Sequence, residues 1–275
     1  MEFQNKLSQI ERRIYLIERL LDERKNQIDG ESLISYYNIE RKRDNWLENE
    51  ETQSKILRAL FNTRMPNKID REFLDVQDEY LKEEASKKGY IELKDMEQLE
   101  NGIYIWRGDI TRIKVDAIVN AANSQMLGCF VPNHKCIDNA IHTFAGVQLR
   151  IYCNEIMKNQ GHEEITGKAK ITPGFNLPAK NIIHTVGPIV YGELTEKNCE
   201  QLKSCYKSCL DLAVKNGLKS IAFCCISTGE FRFPNKKAAE IAVDTVRKFL
   251  GYNKIEVIFN VFKEEDERIY RNIFR

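Results

Sequence analysis

The chain has no cysteine before residue 129, although eight follow from there on. It has no apolar run near the roughly 20 residues that span a bilayer, which argues against a membrane-crossing helix. Its first residues, MEFQNKLSQIERRIYLIERL, contain neither an uninterrupted apolar core nor a small-residue cleavage site, so they do not read as a secretory signal. A cytoplasmic location is therefore expected. In a reducing compartment the cysteines are packing residues, metal ligands or reactive thiols before they are disulfide halves. An excess of charge is missing too. The formal net charge is +1, so no strong field advertises a nucleic acid or an anionic membrane as partner. Backbone amides can still build a local anion site on such a chain.

Walker A and G-x-G-x-x-G signatures are absent, as are internal repeats and low-complexity linkers. What is present is 42% hydrophobic and 30% charged residues over 275 positions, the balance of a soluble globular protein with room for a core domain and an extension.

Two textures divide the chain. In residues 1–95, Leu7, Ile10, Ile14, Ile17 and Leu21 follow three- and four-residue spacings and draw one apolar stripe down a helix. Ile56, Leu57, Leu60 and Phe61 mark a second helix, and Phe73, Leu74, Val76, Tyr80 and Leu81 a third. The first stripe covers only about two heptads, short of a convincing coiled-coil seam. A helical layer packed on the neighbouring domain is the simpler expectation. From residue 96 to 275, short β-branched and aromatic runs at 102–106, 115–119, 181–186, 220–226 and 255–262 alternate with helical patterns at 136–158, 199–216 and 235–250. Such alternation predicts an α/β fold with a mostly parallel sheet covered on both faces. Ligands of such sheets bind beyond the carboxyl ends of the strands.

The strand ends carry polar, turn-prone segments. "RGDIT" puts Asp109 after the first run, where a turn acid or helix cap is the plain reading. "NAANS" puts Asn120 and Asn123 after the second, and amides suit ribose hydroxyls because they donate and accept. "STGEFRFP" places Ser227, Thr228 and Gly229 between a strand and a helix opened by Pro234, an arrangement that can wrap a diphosphate in backbone N–H groups. Phe231 and Phe233 there could face a ring or pack in the core.

The densest chemistry lies in "NSQMLGCFVPNHKCIDNAIH", residues 123–142. Cys129, His134 and Cys136 stand at C-x4-H-x-C spacing, with Asp138 two residues on. Two thiolates and an imidazole match the preferences of Zn²⁺, and three protein ligands leave a fourth position open, as in catalytic sites. The competing reading is a loop with two buried cysteines and a surface histidine. His142 is expected to brace the loop by a hydrogen bond, His184 to be a satisfied core histidine, and His162 to lie on the surface. Cys153, Cys199, Cys205, Cys209, Cys224 and Cys225 show no pairing with histidine and are expected in packing.

Together "GDIT", "VDAIVNAANS", "CIDNAIHTFAG", "IIHTVGP" and "ISTGEFRFP" resemble the signature blocks of the macrodomain family over roughly residues 100–263. The resemblance implies a three-layer α/β/α fold with a mixed, mostly parallel sheet and an ADP-ribose cleft at the strand ends. Asp109 would take the adenine amino group, with the Ile110 amide beside it. Asn123 would hold the distal ribose near Cys136, Ile137 and Asp138. Ser227, Thr228, Gly229, Glu230 and Phe231 would wrap the diphosphate. The loop after "NAAN" departs from the glycine-rich form of most hydrolytic relatives. It is similar to that of the zinc-containing microbial branch, which also carries a helical N-terminal extension.

That branch implies a zinc-dependent hydrolase, with one Zn²⁺ per chain, that removes mono-ADP-ribose from protein side chains. An Asp/Glu-type ester linkage is favoured, since it needs less help with its leaving group than an arginine N-glycoside. Asp138 and Asn123 would be the catalytic residues, with Asp138 orienting or deprotonating the attacking water. A lipoyl-carrier protein is the implied acceptor. The alternatives are an ADP-ribose reader without catalysis and an O-acetyl-ADP-ribose deacetylase. A "QEE" diad is absent and Glu230 stands alone, which speaks against chain-trimming activity.

Overall fold

Apolar β-branched residues concentrate in five short runs, and all five become strands of one sheet in the computed structural model, which describes residues 7–24 and 49–275. The elements in chain order are helices α1 (Gln9–Arg24), α2 (Glu50–Thr63) and α3 (Arg71–Lys88), strands β1 (Glu97–Glu100), β2 (Ile103–Arg107) and β3 (Ala117–Ala122), and helices α4 (Ile137–Ala145) and α5 (Val147–Gln160). Then come β4 (Ala169–Pro173), β5 (Asn181–Val186), α6 (Glu196–Lys215), β6 (Ser220–Phe223), α7 (Asn235–Leu250), β7 (Glu256–Val261) and α8 (Glu264–Ile273). No helix among the described residues is long and apolar enough to cross a membrane.

The sheet has seven strands in the order β1-β2-β7-β6-β3-β5-β4. Pairings β2–β7, β7–β6, β6–β3 and β3–β5 are parallel, while the edge strands β1 and β4 are antiparallel to their neighbours. The central strands read as near-continuous apolar runs because both their faces are covered: Ile118, Val119, Ile182, Ile183, Ile221 and Ile258 are fully buried. Helices α6, α7 and α8 pack together as one layer, and α4 and α5 contact the sheet from their own group. The mixed, mostly parallel α/β sheet expected from the sequence is present.

Three elements escaped the sequence. Strand β1 reads EQLE and is largely exposed, so it carries no apolar signal. Strand β4 is half-buried and ends on Pro173, which suits an edge. Helix α8 opens with four acidic residues, which mask the short apolar face that it packs on the core. The helical pattern at 136–158 is also two helices, not one: Gly146 sits at φ +98° between α4 and α5, a conformation that a side chain resists.

The N-terminal helices have their own apolar cluster, in which Leu16, Ile17, Leu20, Leu57, Leu60 and Phe73 are buried together with Val147 of α5. Polar bonds tie this cluster to the sheet domain. Gln77 accepts from the Val147 amide at 2.9 Å, and Asn62 Nδ2 donates to Thr143 Oγ1 at 2.8 Å. Residues 25–48 of the extension lie outside the described residues.

Candidate active site

Strand β3 delivers "NAAN" to the carboxyl edge of the sheet, and the loop that follows returns to open α4. Cys136 is the N-cap of α4, its Sγ accepting from the Asn139 amide at 3.4 Å. Asp138 therefore stands in the first turn, where the helix N-terminus favours negative charge. It is 5% exposed. Asn120 Nδ2 donates to Asp138 Oδ1 at 2.8 Å, and Asn123 Nδ2 reaches Asp138 Oδ2 at 3.4 Å and Gly128 O at 3.0 Å. Burial pushes the Asp138 carboxyl up to about 6, against the opposing pull of the Asn120 hydrogen bond.

The three sulfur and imidazole candidates do converge. Cys129 Sγ, His134 and Cys136 Sγ offer ligand atoms within 4.8 Å of one another, and Cys129 Sγ lies 3.6 Å from His134 Nδ1. Tetrahedral zinc with ordinary Zn–S and Zn–N bonds has an S···N edge of about 3.6 Å, so the donor set fits the ion. All three residues are half-buried, open enough for exchange. Burial pushes the Cys136 thiol up to about 12, so a thiolate there needs a cationic partner. The other imidazole nitrogen, His134 Nε2, lies 3.7 Å from Glu230 Oε1. Glu230 thus faces the metal loop from the loop after β6.

His184 is buried with both nitrogens engaged. Asn120 Nδ2 donates to its Nδ1 across 3.1 Å, so the proton sits on Nε2 and is donated to Thr172 Oγ1 at 2.9 Å. This is the satisfied core histidine expected. His142 departs from expectation. Neither ring nitrogen has a hydrogen-bond partner, and Nε2 is 3.6 Å from Asp138 Oδ1. It braces the loop by packing instead: a Cβ at Gly128 would lie 2.7 Å from its ring, so only glycine passes there. Burial holds both histidines neutral, His142 well below its ordinary value and His184 down to about 3. Cys153 also departs from expectation, since its Sγ shares a buried cluster with the His142 and His184 nitrogens. Because His184 is already bonded at both nitrogens, that cluster is not an open chelate. The exposed His162 lies away from it on the surface.

Just beyond the carboxyl end of β2, Asp109 fills two roles with two oxygens. Oδ1 caps the short 3₁₀ turn Ile110–Arg112, accepting from Thr111 N at 3.0 Å and Thr111 Oγ1 at 2.6 Å. Oδ2 faces Lys88 Nζ of α3 at 4.0 Å. Gly108 N donates to Val261 O at 2.9 Å, which brings the end of β7 beside this turn. Phe262, the next residue, is 77% exposed. It escaped the sequence reading because it looked like the last position of a strand run.

The remaining candidates lie on the loop after β6. Ser227 adopts φ +65°, and its Oγ is 2.0 Å from where a Gly187 Cβ would stand, so glycine in "HTVGP" admits the turn. Thr228 Oγ1 donates to Cys225 O at 3.0 Å and Phe233 N to Ser227 O at 2.9 Å. Among the described residues no backbone carbonyl accepts from the amides of Gly229, Glu230 or Phe231. Phe231 is half-buried, whereas Phe233 is a core residue at 1% exposure. The loop therefore keeps these N–H groups free of backbone acceptors, as anion sites require.

The chain is similar to known proteins along most of its length. A family model described as Macro domain matches residues 119–242. A protein-ADP-ribose hydrolase of Treponema medium is 53% identical over 273 residues, covering 97% of this chain and 99% of that protein. A protein of the same name from Staphylococcus aureus strain MSSA476 is 49% identical over 223 residues, covering 80% of this chain and 84% of its own length. Among solved structures, a Trypanosoma brucei macrodomain in complex with ADP-ribose superposes with a TM-score of 0.61 at 31% identity, covering 79% of this chain and 95% of that one.

Proposed function

Because this chain belongs to the macrodomain family, we propose that it is a protein-ADP-ribose hydrolase whose chemistry runs on Asp138, Asn123 and a zinc held by Cys129, His134 and Cys136. The hydrolase reading is supported by relatives of that name that cover 97% and 80% of this chain. The observation that carries the zinc is the convergence of two thiols and an imidazole nitrogen within 4.8 Å, beside a buried carboxylate.

In this reading the ligand lies along the strand ends. Asp109 Oδ2 takes the adenine amino group beside the Ile110 amide, and Phe262 stacks on the ring. The free amides of Gly229, Glu230 and Phe231, with Ser227 and Thr228, wrap the diphosphate. The distal ribose reaches Asn123, with Cys136 and Ile137 at the α4 N-terminus beneath it. Asn123 orients the ribose hydroxyls, since its amide both donates and accepts. Asp138, held by Asn120, orients the attacking water and takes its proton. Its raised pKa keeps it basic enough to act near neutrality. A zinc held by Cys129, His134 and Cys136 would supply Lewis acidity, toward a ribose hydroxyl, the departing acyl oxygen or water.

The linkage we favour is an ester to Asp or Glu, because such a bond needs less help with its leaving group than an arginine N-glycoside. A lipoyl-carrier protein is the acceptor that the sequence resemblance implies, and a cytoplasmic setting suits the free thiols of the loop. The test is release of ADP-ribose from a mono-ADP-ribosylated, Asp/Glu-linked acceptor, such as a modified lipoyl carrier, with and without a chelator. Release that stops with chelator and returns with zinc is expected. Intact acceptor under both conditions would leave only an ADP-ribose reader, and release indifferent to chelator would remove the zinc.

A further inference from the structure

The loop that carries the three ligands is tied to the N-terminal extension by side chains from one face of α2. Arg58 and Asn62 are four residues apart, so they stand one above the other on that face. Arg58 Nη2 donates to His134 O at 3.0 Å and to Asn139 Oδ1 at 3.0 Å, and Arg58 Nε to the same oxygen at 3.3 Å. That contact fixes which way the Asn139 amide points. Its Nδ2 then donates to Val131 O at 3.0 Å and to Cys129 O at 3.4 Å, while the Asn139 backbone N–H reaches Cys136 Sγ. Arg58 and Asn139 together touch the main chain of Cys129, the main chain of His134 and the sulfur of Cys136.

Asn62 adds a second tie at the tip of the loop. It is 1% exposed. Its Oδ1 accepts from Asn133 N at 2.9 Å, just before His134, where Asn133 turns the chain at φ +54°. Its Nδ2 is anchored on Thr143 of α4. Arg150 makes a third tie from below: Nε donates to Leu127 O at 2.6 Å and Nη1 to Phe61 O of α2 at 2.9 Å, with the guanidinium 4.3 Å from the Phe130 ring centre. None of these groups is itself a ligand. Arg58 holds the backbone of His134 and, through Asn139, that of Cys129, while Asn62 and Arg150 hold residues close beside a ligand in the chain, which is how outer groups set the geometry and affinity of metal sites.

We propose that Arg58 and Asn62 are positioning residues of the metal centre, so that the N-terminal extension supplies half the frame on which the C-x4-H-x-C loop binds zinc. The proposal rests on the zinc reading above and adds to it the part of the chain that lies outside the matched Macro domain segment. Arg58 is the cleaner probe because it is only half-buried, so its removal leaves the α2 packing face intact.

The experiment compares the full chain with its Arg58→Ala, Arg58→Lys and Asn62→Ala variants. Zinc dissociation constants are measured by competition with a chelator of known affinity, alongside ADP-ribose binding by calorimetry and cooperative thermal unfolding. Arg58→Ala is expected to weaken zinc about ten-fold or more. ADP-ribose affinity of the zinc-free protein should change by less than about three-fold, since that ligand's adenine and diphosphate contacts are elsewhere. Arg58→Lys keeps one donor toward His134 O and should recover part of the loss, which a merely structural role would not reproduce. Should Asn62→Ala unfold, the two Arg58 variants still decide. Zinc bound by the unsubstituted chain and by Arg58→Ala with equal affinity overturns this inference alone. No zinc bound by the unsubstituted chain overturns it together with the metal reading.

Discussion

Asn120 Nδ2 donates to Asp138 Oδ1 at 2.8 Å while pointing its second hydrogen at His184 Nδ1, 3.1 Å away. One buried amide thus holds the carboxylate, and β5 holds the amide, since Asn120 and His184 are register partners across the β3–β5 pairing. Asp138→Asn should therefore keep the fold and ADP-ribose binding but lose about 10²-fold or more in turnover, the scale of a general base. Asn120→Ala should cost turnover less, and stability by about 1–3 kcal/mol, because it removes the donor from the buried Asp138 Oδ1 and His184 Nδ1. Single-turnover release assays beside calorimetry measure both. Full turnover by Asp138→Asn would remove that residue from the mechanism.

Glu230, in the loop after β6, meets His134, its Oε1 3.7 Å from the nitrogen turned away from Cys129. A carboxylate on the outer nitrogen of a metal-bound imidazole fixes the tautomer and raises ligand basicity. Glu230→Ala is expected to weaken zinc about ten-fold, and Glu230→Gln less, since its amide oxygen still accepts. Chelator competition reads both. Identical affinities in the three proteins would confine Glu230 to the diphosphate loop.

Phe262 offers an exposed ring beside the Asp109 turn. Stacking of a base on an aromatic side chain contributes about 1–3 kcal/mol. Phe262→Ala should weaken ADP-ribose roughly ten-fold or more and leave ribose 5-phosphate, which has no adenine, unaffected. Calorimetry with the two ligands makes the comparison internal. Equal losses for both would place the ring elsewhere.

What was legible in the sequence and what was not follows from distance along the chain. Asn120, Asn123, Cys129, His134, Cys136 and Asp138 lie within 19 consecutive positions that run from one strand end into one helix, so the local sequence displayed them together, while the roles expected of them came from the family resemblance. Central strands were visible because burial on both faces forces continuous apolar runs, while β1 and β4 were not, because edges tolerate polar residues. Arg58 acts 76 residues from His134, and no local pattern distinguishes it from the other surface charges of an amphipathic helix. Phe262 was hidden for the opposite reason: an exposed aromatic after a strand looks like one more strand residue. His142 was misjudged because a histidine near a polar loop suggests a hydrogen bond, whereas the glycine passing over its ring makes the contact a packing one.

Acid should loosen the zinc-free protein through its two buried imidazoles. An unfolded histidine takes up a proton near pH 6.5, but burial keeps His142 and His184 neutral well below that, His184 down to about 3. As pH falls below 6.5 the unfolded chain binds more protons than the folded one, so stability falls, by up to about 1.4 kcal/mol per pH unit for each histidine. Asp138 works in the other direction. Its carboxyl, pushed up to about 6 by burial, protonates in the folded state before the unfolded one does, which offsets roughly one of the two histidines between about pH 6 and 4. Asp138→Asn abolishes the offset and should steepen the acid loss. His184→Gln, whose amide can still accept from Asn120 and donate to Thr172, should flatten it. Urea midpoints of chelator-treated protein at pH 7.5, 6.0 and 5.0 separate the two slopes, and superimposable profiles for all three proteins would mean that these groups are not buried as the fold places them.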